Sequence, residues 1–215
     1  MKFKMIKAAF TGLVLTVSSL ANAGLIYTAS SILSAPTPLA GYGASNTIDQ
    51  SGLSTTYVSG VTDFDTFLGL TPTHTRTGNP ANFFASFDRN SSVDFDMGSI
   101  LNLTRLVLWN YPFSNSAGID GFSIYSSATE DFLVTSFLGA FNALDDGNSS
   151  SNAAQVFDFS DTQSRYLRLI ITSTYNEPRV GFSEIAFEAS PVPEPSTLAI
   201  LALGLIGLGA RRFKK

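Results

Sequence analysis

The apolar residues of this 215-residue chain recur with a period of two, and that pattern restricts its folding options more than any other feature. In "SVDFDMGS", Val93, Phe95 and Met97 alternate with Asp94 and Asp96, as in a strand with one buried face. "LTRLVLWNY", "GFSIYSS", "TSFLGAF", "AQVFDFS", "RYLRLIITST" and "GFSEIAFEA" are further apolar or alternating runs of strand length. They are separated by clusters of Gly, Asn, Ser and Asp, the residues that turns favour. No amphipathic helix of convincing length interrupts the series. The 18 phenylalanines and seven tyrosines suit a pleated, half-buried surface. Together these features predict an all-β fold, a β-sandwich. The less regular stretch from Leu33 to Pro80, dense in Gly, Ser, Thr and Asp, predicts long loops, where binding usually resides.

The two ends differ from the middle. "MKFKMIK" carries three lysines, "AAFTGLVLTVSSL" is a thirteen-residue apolar run, and "ANA" ends at Ala23. A basic start, a short apolar run and small residues at Ala21 and Ala23 make a secretory signal peptide over 1–23, a helix cleaved after Ala23 on export through the Sec translocon. An uncleaved anchor is the alternative, for which the run is short. Between Gly24 and Ser190 there are six arginines, no lysine and sixteen acidic residues, a net charge of −10, against −4 for the whole chain. So acidic a surface repels phosphate backbones and excludes nucleic acid as a partner. The chain has no cysteine, so thiol nucleophiles, zinc thiolates and disulfide staples are all excluded. Residues 24–190 must fold on their hydrophobic core.

A catalytic constellation is hard to find. His74 is the only histidine, which leaves no partner for a histidine-metal site, and no nucleophile elbow or phosphate loop is present. Asp63/Asp65, Asp94/Asp96 and Asp145/Asp146 are paired carboxylates, but their spacing reads as strand faces or turns rather than opposed groups across a substrate. The expectation is that the protein is not an enzyme.

The order "ASNTIDQSGLSTTY", "VDFDMGSILNLTRLVLWNY", "GIDGFSIYSS", "RYLRLIITSTY" and "GFSEIAFE" resembles the discoidin-like, coagulation-factor type C superfamily, which includes galactose-binding-like carbohydrate modules. The resemblance spans about Leu25 to Glu188. It implies a jelly-roll sandwich over 24–190 with a calcium site between an early loop and the last strand. Asp49 would supply a carboxylate, Thr55 a hydroxyl or carbonyl, and Glu184 a carboxylate, a hard-oxygen set that calcium accepts. Gln50 stands where the family has glycine, the loop carries an extra residue, and Tyr57 replaces a tryptophan. The alternative is that Asp49 caps a turn and Glu184 faces solvent. The family also implies glycan binding in loops at one end of the sandwich. Candidates are Trp109, Asn110 and Tyr111 at a strand end, with Arg76 and His74 in "TPTHTRTGN". Core packing is the alternative for Trp109, and Tyr111, next to Pro112, is expected at the surface.

The tail, "PVPEPSTLAILALGLIGLGARRFKK", has fourteen uncharged residues from Thr197 to Ala210 before a basic end. As a helix this run rises about 21 Å, short of the ~30 Å hydrocarbon core. Extended to Phe213, with the arginines snorkelling, the transmembrane segment 197–213 becomes a marginal span. Residues 191–215 resemble the PEP-CTERM sorting signal of Gram-negative bacteria: the Pro193–Glu194–Pro195 motif, a single apolar helix, and an arginine-rich end. This implies processing by an exosortase, with the tail in the inner membrane only transiently before the protein reaches the cell surface or extracellular matrix. The sequence reading is therefore a surface-sorted binding protein for carbohydrate, with exopolysaccharide the expected ligand. A structural biofilm-matrix or adhesion protein without a specific small ligand is the alternative.

Overall fold

A computed structural model describes residues 24–77, 81–88, 91–111, 117–145, 151–175 and 178–191. Ala21 and Ala23 of the signal segment, the Pro193–Glu194–Pro195 motif and the tail helix over 197–213 lie outside these residues. The described strands are β1 (Leu25–Tyr27), β2 (Ser31–Ser34), β3 (Thr73–Thr75), β4 (Phe84–Ser86), β5 (Ser92–Trp109), β6 (Ile119–Ser127), β7 (Thr135–Asn142), β8 (Ser151–Thr174), β9 (Val180–Phe182) and β10 (Glu184–Pro191). All named strands pair antiparallel. The all-β sandwich predicted from the alternation is the observed fold.

Two long strands build both layers. Ser92–Asp96 of β5 pairs with Tyr166–Ile170 of β8, whereas Leu101–Trp109 pairs with Ala154–Ser164, and the register breaks between Asp96 and Leu101. Gly98 sits at that break with φ +81, and its N–H donates to Asp96 Oδ1 at 2.7 Å, a corner of the kind glycine permits. β5 and β8 thus cross from one layer to the other. The first layer runs β3, the start of β8, the end of β5, β10 and β1; the second runs β2, the start of β5, the end of β8, β6 and β7. Rings meet between the layers, Phe95 with Phe187 at 5.8 Å and Phe122 edge-on to Phe157 at 5.0 Å. Each fully buried phenylalanine contributes about 1.5–3 kcal/mol of apolar burial.

The period of two holds on β5, where Val93, Phe95 and Met97 are buried. The opposite face is not solvated as the sequence suggested. Asp94 is itself buried, because Arg168 grips both its oxygens from the neighbouring strand at 2.6 and 2.7 Å. Arg165 grips Asp96 in the same way at 2.7 and 2.8 Å. Sequence reading also missed a helix, α1 (Phe64–Gly69). Asp63 caps it by accepting from Thr66 N at 2.7 Å, while Phe64 and Phe67 are buried beneath it.

Strand register sets two poles. Glu184 pairs with Trp109 at one pole, and Pro191 pairs with Leu101 at the other. At about 3.3 Å per residue these ends lie about 23 Å apart. Leu25 pairs with Ala189, so both ends of the described domain leave from the Pro191 pole.

Candidate functional site

The residues singled out for binding converge on the Trp109 pole, but most are buried. Trp109 ends β5 fully buried. Its Nε1–H donates to Pro72 O at 3.0 Å, and its ring lies edge-on to Phe67 at 6.4 Å. It packs with Ile26, Tyr57, Phe64 and Val107, so no face is left for a sugar. Asn110 is equally buried and its amide is saturated. Nδ2 donates to Ile119 O and Leu144 O at 2.8 and 3.0 Å, and Oδ1 accepts from Tyr111 N and Ile119 N at 2.8 and 2.9 Å. Asn110 therefore ties the end of β5 to the start of β6.

Tyr111, expected at the surface, is 7% exposed. Its ring stands edge-on to Phe83 at 5.4 Å, and Gly181 lies so close that a Cβ there would reach 2.7 Å from the ring. Burial pushes its hydroxyl pKa up, against the pull of the nearby Arg179 and Arg76 guanidiniums. His74 is also buried, in register with Asn152 of β8. Neither ring nitrogen makes a well-formed hydrogen bond. Burial lowers the ring's pKa, opposed more weakly by backbone groups of Ser51 and Asn82 and by the charge of Asp49. A neutral ring enclosed in this way supports the loop from below rather than reaching a ligand.

Arg76 and Arg179 bring positive charge to this pole. Asn82 clamps the backbone on either side of Arg76, donating to Thr75 O at 2.7 Å and accepting from Thr77 N at 2.8 Å. Both arginines are half-buried and their charges act on the Tyr111 hydroxyl, while the Tyr42 ring is tilted against Phe83 with centroids 5.1 Å apart. Arg105, Arg165 and Arg168 are held in ion pairs elsewhere. The sequence reading missed Arg179 and Tyr42. The scarcity of arginine among sixteen acids was the available signal, but it could not say which arginines the fold would gather.

Two of the three proposed calcium ligands come together. Glu184 is fully buried at the start of β10, and its oxygens accept the Gln50 N–H at 3.3 and 3.2 Å. Burial raises its pKa well above the usual carboxylate range, and the charge of Asp49 adds to the shift. Asp49 is exposed, with Oδ1 accepting from Ser51 N at 2.8 Å. Thr55 is half-buried and no hydrogen bond ties it to either carboxylate. Among the described residues no three His, Asp or Glu side chains converge on one point. The loop keeps the geometry its glycine would give, since Gln50 itself adopts φ +62, and its Oε1 accepts from Tyr57 N at 2.9 Å. Glu184 and Asp49 are two carboxylates of the kind a hard cation accepts.

The acidic pairs expected in turns or on strand faces have structural partners. Asp63 caps α1, Asp65 pairs with Arg105 at 2.8 Å, and Asp94 and Asp96 hold arginines. Asp146 lies outside the described residues.

The sandwich has the fold of solved family 32 carbohydrate-binding (CBM32) modules. The CBM32 of AlyQ in complex with 4,5-unsaturated mannuronic acid is similar over 76% of this chain and 97% of its own, at 16% identity and a TM-score of 0.51. Truncated AlyQ with CBM32 and alginate lyase domains gives 80% and 35% coverage, at 16% identity and the same score. The C-terminal domain of a chitobiase from Bacteroides fragilis gives 75% and 94%, at 16% identity and a TM-score of 0.50. At that identity the likeness speaks for the fold. Residues 191–214 match the PEP-CTERM protein-sorting motif, so the chain joins a CBM32-like sandwich to a C-terminal sorting signal for exported proteins. No curated protein sequence matches the chain.

Proposed function

We propose that this is a non-catalytic surface protein whose sandwich binds carbohydrate at the Trp109 pole. The proposed division is a signal peptide over 1–23, the binding domain over 24–190 and the sorting tail over 191–215. In this reading the Sec translocon exports the chain, and an exosortase processes it near Pro193–Glu194–Pro195 on the way to the surface of a Gram-negative cell. What supports the binding reading is that two half-buried arginines, Arg76 and Arg179, both exert their charge on Tyr111 at this pole of a domain of net charge −10. Guanidinium groups beside aromatic rings suit polar ligands with an anionic group. The AlyQ module is bound to an acidic sugar, and an acidic exopolysaccharide unit is the ligand class that fits best here.

The test is a glycan array rich in uronic acids, probed with the purified domain. Arg179→Ala should weaken binding to the best ligand about tenfold while leaving the melting temperature unchanged, as expected for loss of one charge-assisted contact. Tyr111→Ala is a poorer probe, since its ring is buried. A blank array across acidic and neutral glycans would favour the matrix-component reading and sink this one.

A calcium held by Glu184 and Asp49 is the second part of the proposal, and the buried Glu184 carboxylate, whose oxygens share the Gln50 N–H, supports it. When bound, the ion would pin the Asp49–Tyr57 loop to β10. Calcium at a hundredfold excess over its Kd should raise the melting temperature by about 5–10 °C, and Glu184→Gln should abolish that rise. Identical melting of the wild type in calcium and in chelator rules the site out.

A further inference from the structure

The sorting tail leaves the domain at a defined place. Pro191, the last described residue, pairs with Leu101, and only residues 192–196 separate it from the apolar run that begins at Thr197. Fully extended, that connection reaches about 20 Å. While the tail is in the bilayer, the Pro191 pole is therefore held against the membrane, and the Arg76–Arg179 pole points away from it.

The Pro191 pole carries unusual side chains. Ile100 lies at the β5 corner beside Leu101 and is 60% exposed, while Leu133 and Val134 are 83% and 79% exposed. Strand register brings them to one end: Leu101 pairs with Ser164, Ser164 Oγ donates to Ser127 O at 2.8 Å, and Ser127 pairs with Thr135 at the base of the β6–β7 turn.

The turn is built to present this tip. Ser127 Oγ bonds Thr129 O and Val134 O at 2.7 and 3.0 Å, and Asp131 Oδ1 accepts from Leu133 N at 3.2 Å. Phe132 adopts φ +53 and turns inward beneath Arg168, whose guanidinium lies 4.2 Å from its ring centroid. A non-glycine residue in that conformation persists only where its surroundings enforce it. The inward Phe132 leaves Leu133 and Val134 facing out. Exposed aliphatic groups are ordinary singly, but a fixed aliphatic tip at the end tethered to a bilayer has an obvious solvent.

We propose that Ile100, Leu133 and Val134 form a membrane-resting surface that dips into the lipid interface while the sorting tail is inserted, and so holds the domain upright with its ligand pole outward. This rests on the reading of the tail as a membrane segment. Side chains of this kind reach about 5–10 Å into the headgroup and acyl boundary. Glu130 and Asp131 flank the tip, and Glu130 lies near Arg165, so the surface suits zwitterionic lipid better than anionic lipid.

The cysteine-free chain allows a direct test. Single variants Leu133→Cys, Ile100→Cys, Leu144→Cys and Leu203→Cys of the full chain carry a polarity-sensitive fluorophore in phosphatidylcholine–phosphatidylethanolamine vesicles containing a lipid-borne quencher. Leu144 is an exposed control at the opposite pole, and Leu203 reports on the tail. Labels at Leu133, Ile100 and Leu203 should shift to the blue and lose most of their emission, while Leu144 is unaffected. A quenched Leu203 with an unquenched Leu133 overturns the inference and leaves the tail reading intact. An unquenched Leu203 overturns both. A blue shift at Leu133 without vesicles, growing with protein concentration, means that a second copy covers the surface and also overturns it.

Discussion

Replacing Arg168 by alanine should destabilise the domain by about 2–4 kcal/mol, somewhat below the full cost of breaking a buried pair because Arg168 is partly solvated. Asp94 has a side chain 6% exposed and Arg168 one 29% exposed, and both carboxylate oxygens depend on that guanidinium. The variant keeps a buried charge on the outer face of β5 with no guanidinium over it, and the Phe132 ring loses the group it stacks on. Urea unfolding followed by far-ultraviolet circular dichroism at pH 7 reads the effect as a lower midpoint. The double variant Asp94→Leu with Arg168→Met should recover most of the loss, since an apolar pair of similar size needs no counter-ion. A single-variant loss under about 1 kcal/mol, the range of exposed pairs, would show that water reaches Asp94 and that the pair acts as a surface bridge.

Trp109→Ala should cost about 3–5 kcal/mol, the range for removing a large buried aromatic. The indole fills the space between α1 and the end of β5, touching Phe67 and bonding Pro72 O, and nothing nearby is free to collapse into the void. Calorimetry measures the loss. Trp109→Phe separates the two roles considered for this residue. It keeps most of the ring but not the N–H, so it should lower stability modestly and leave glycan affinity as in the wild type. If Trp109→Phe abolished binding in a folded domain, the indole would be a sugar platform after all, contrary to its burial.

The sandwich was legible because alternation is a local property: Val93, Phe95 and Met97 declare a buried face whatever they pair with. The sorting signal and the apolar run behind it were legible for the same reason, being contiguous chemistry. The candidate site was legible only in part. Trp109, Asn110, Tyr111, His74 and Arg76 do share a pole, because strand ends and loops collect there. Whether each faces solvent depended on partners far along the chain. Asn110 is consumed by Ile119 and Leu144, His74 is roofed by the Gln50–Leu53 turn, whose Gly52 lies against its ring, and Tyr111 is pressed between Phe83 and Gly181. Asp94 likewise reads as a solvent-facing residue until Arg168, 74 residues away, closes over it. α1 escaped notice because a six-residue helix is too short to display a period.

By itself the sequence determined the β-sandwich class, the acidic cysteine-free character and the sorting motif over 191–214, since each follows from residue types in short windows. The tertiary structure decided which polar groups are structural, that the charges of Arg76 and Arg179 both act on Tyr111, and that Pro191 lies at the opposite pole. Those outcomes depend on the crossing of β5 and β8 and on strand register, where a shift of one residue turns every side chain to the other face.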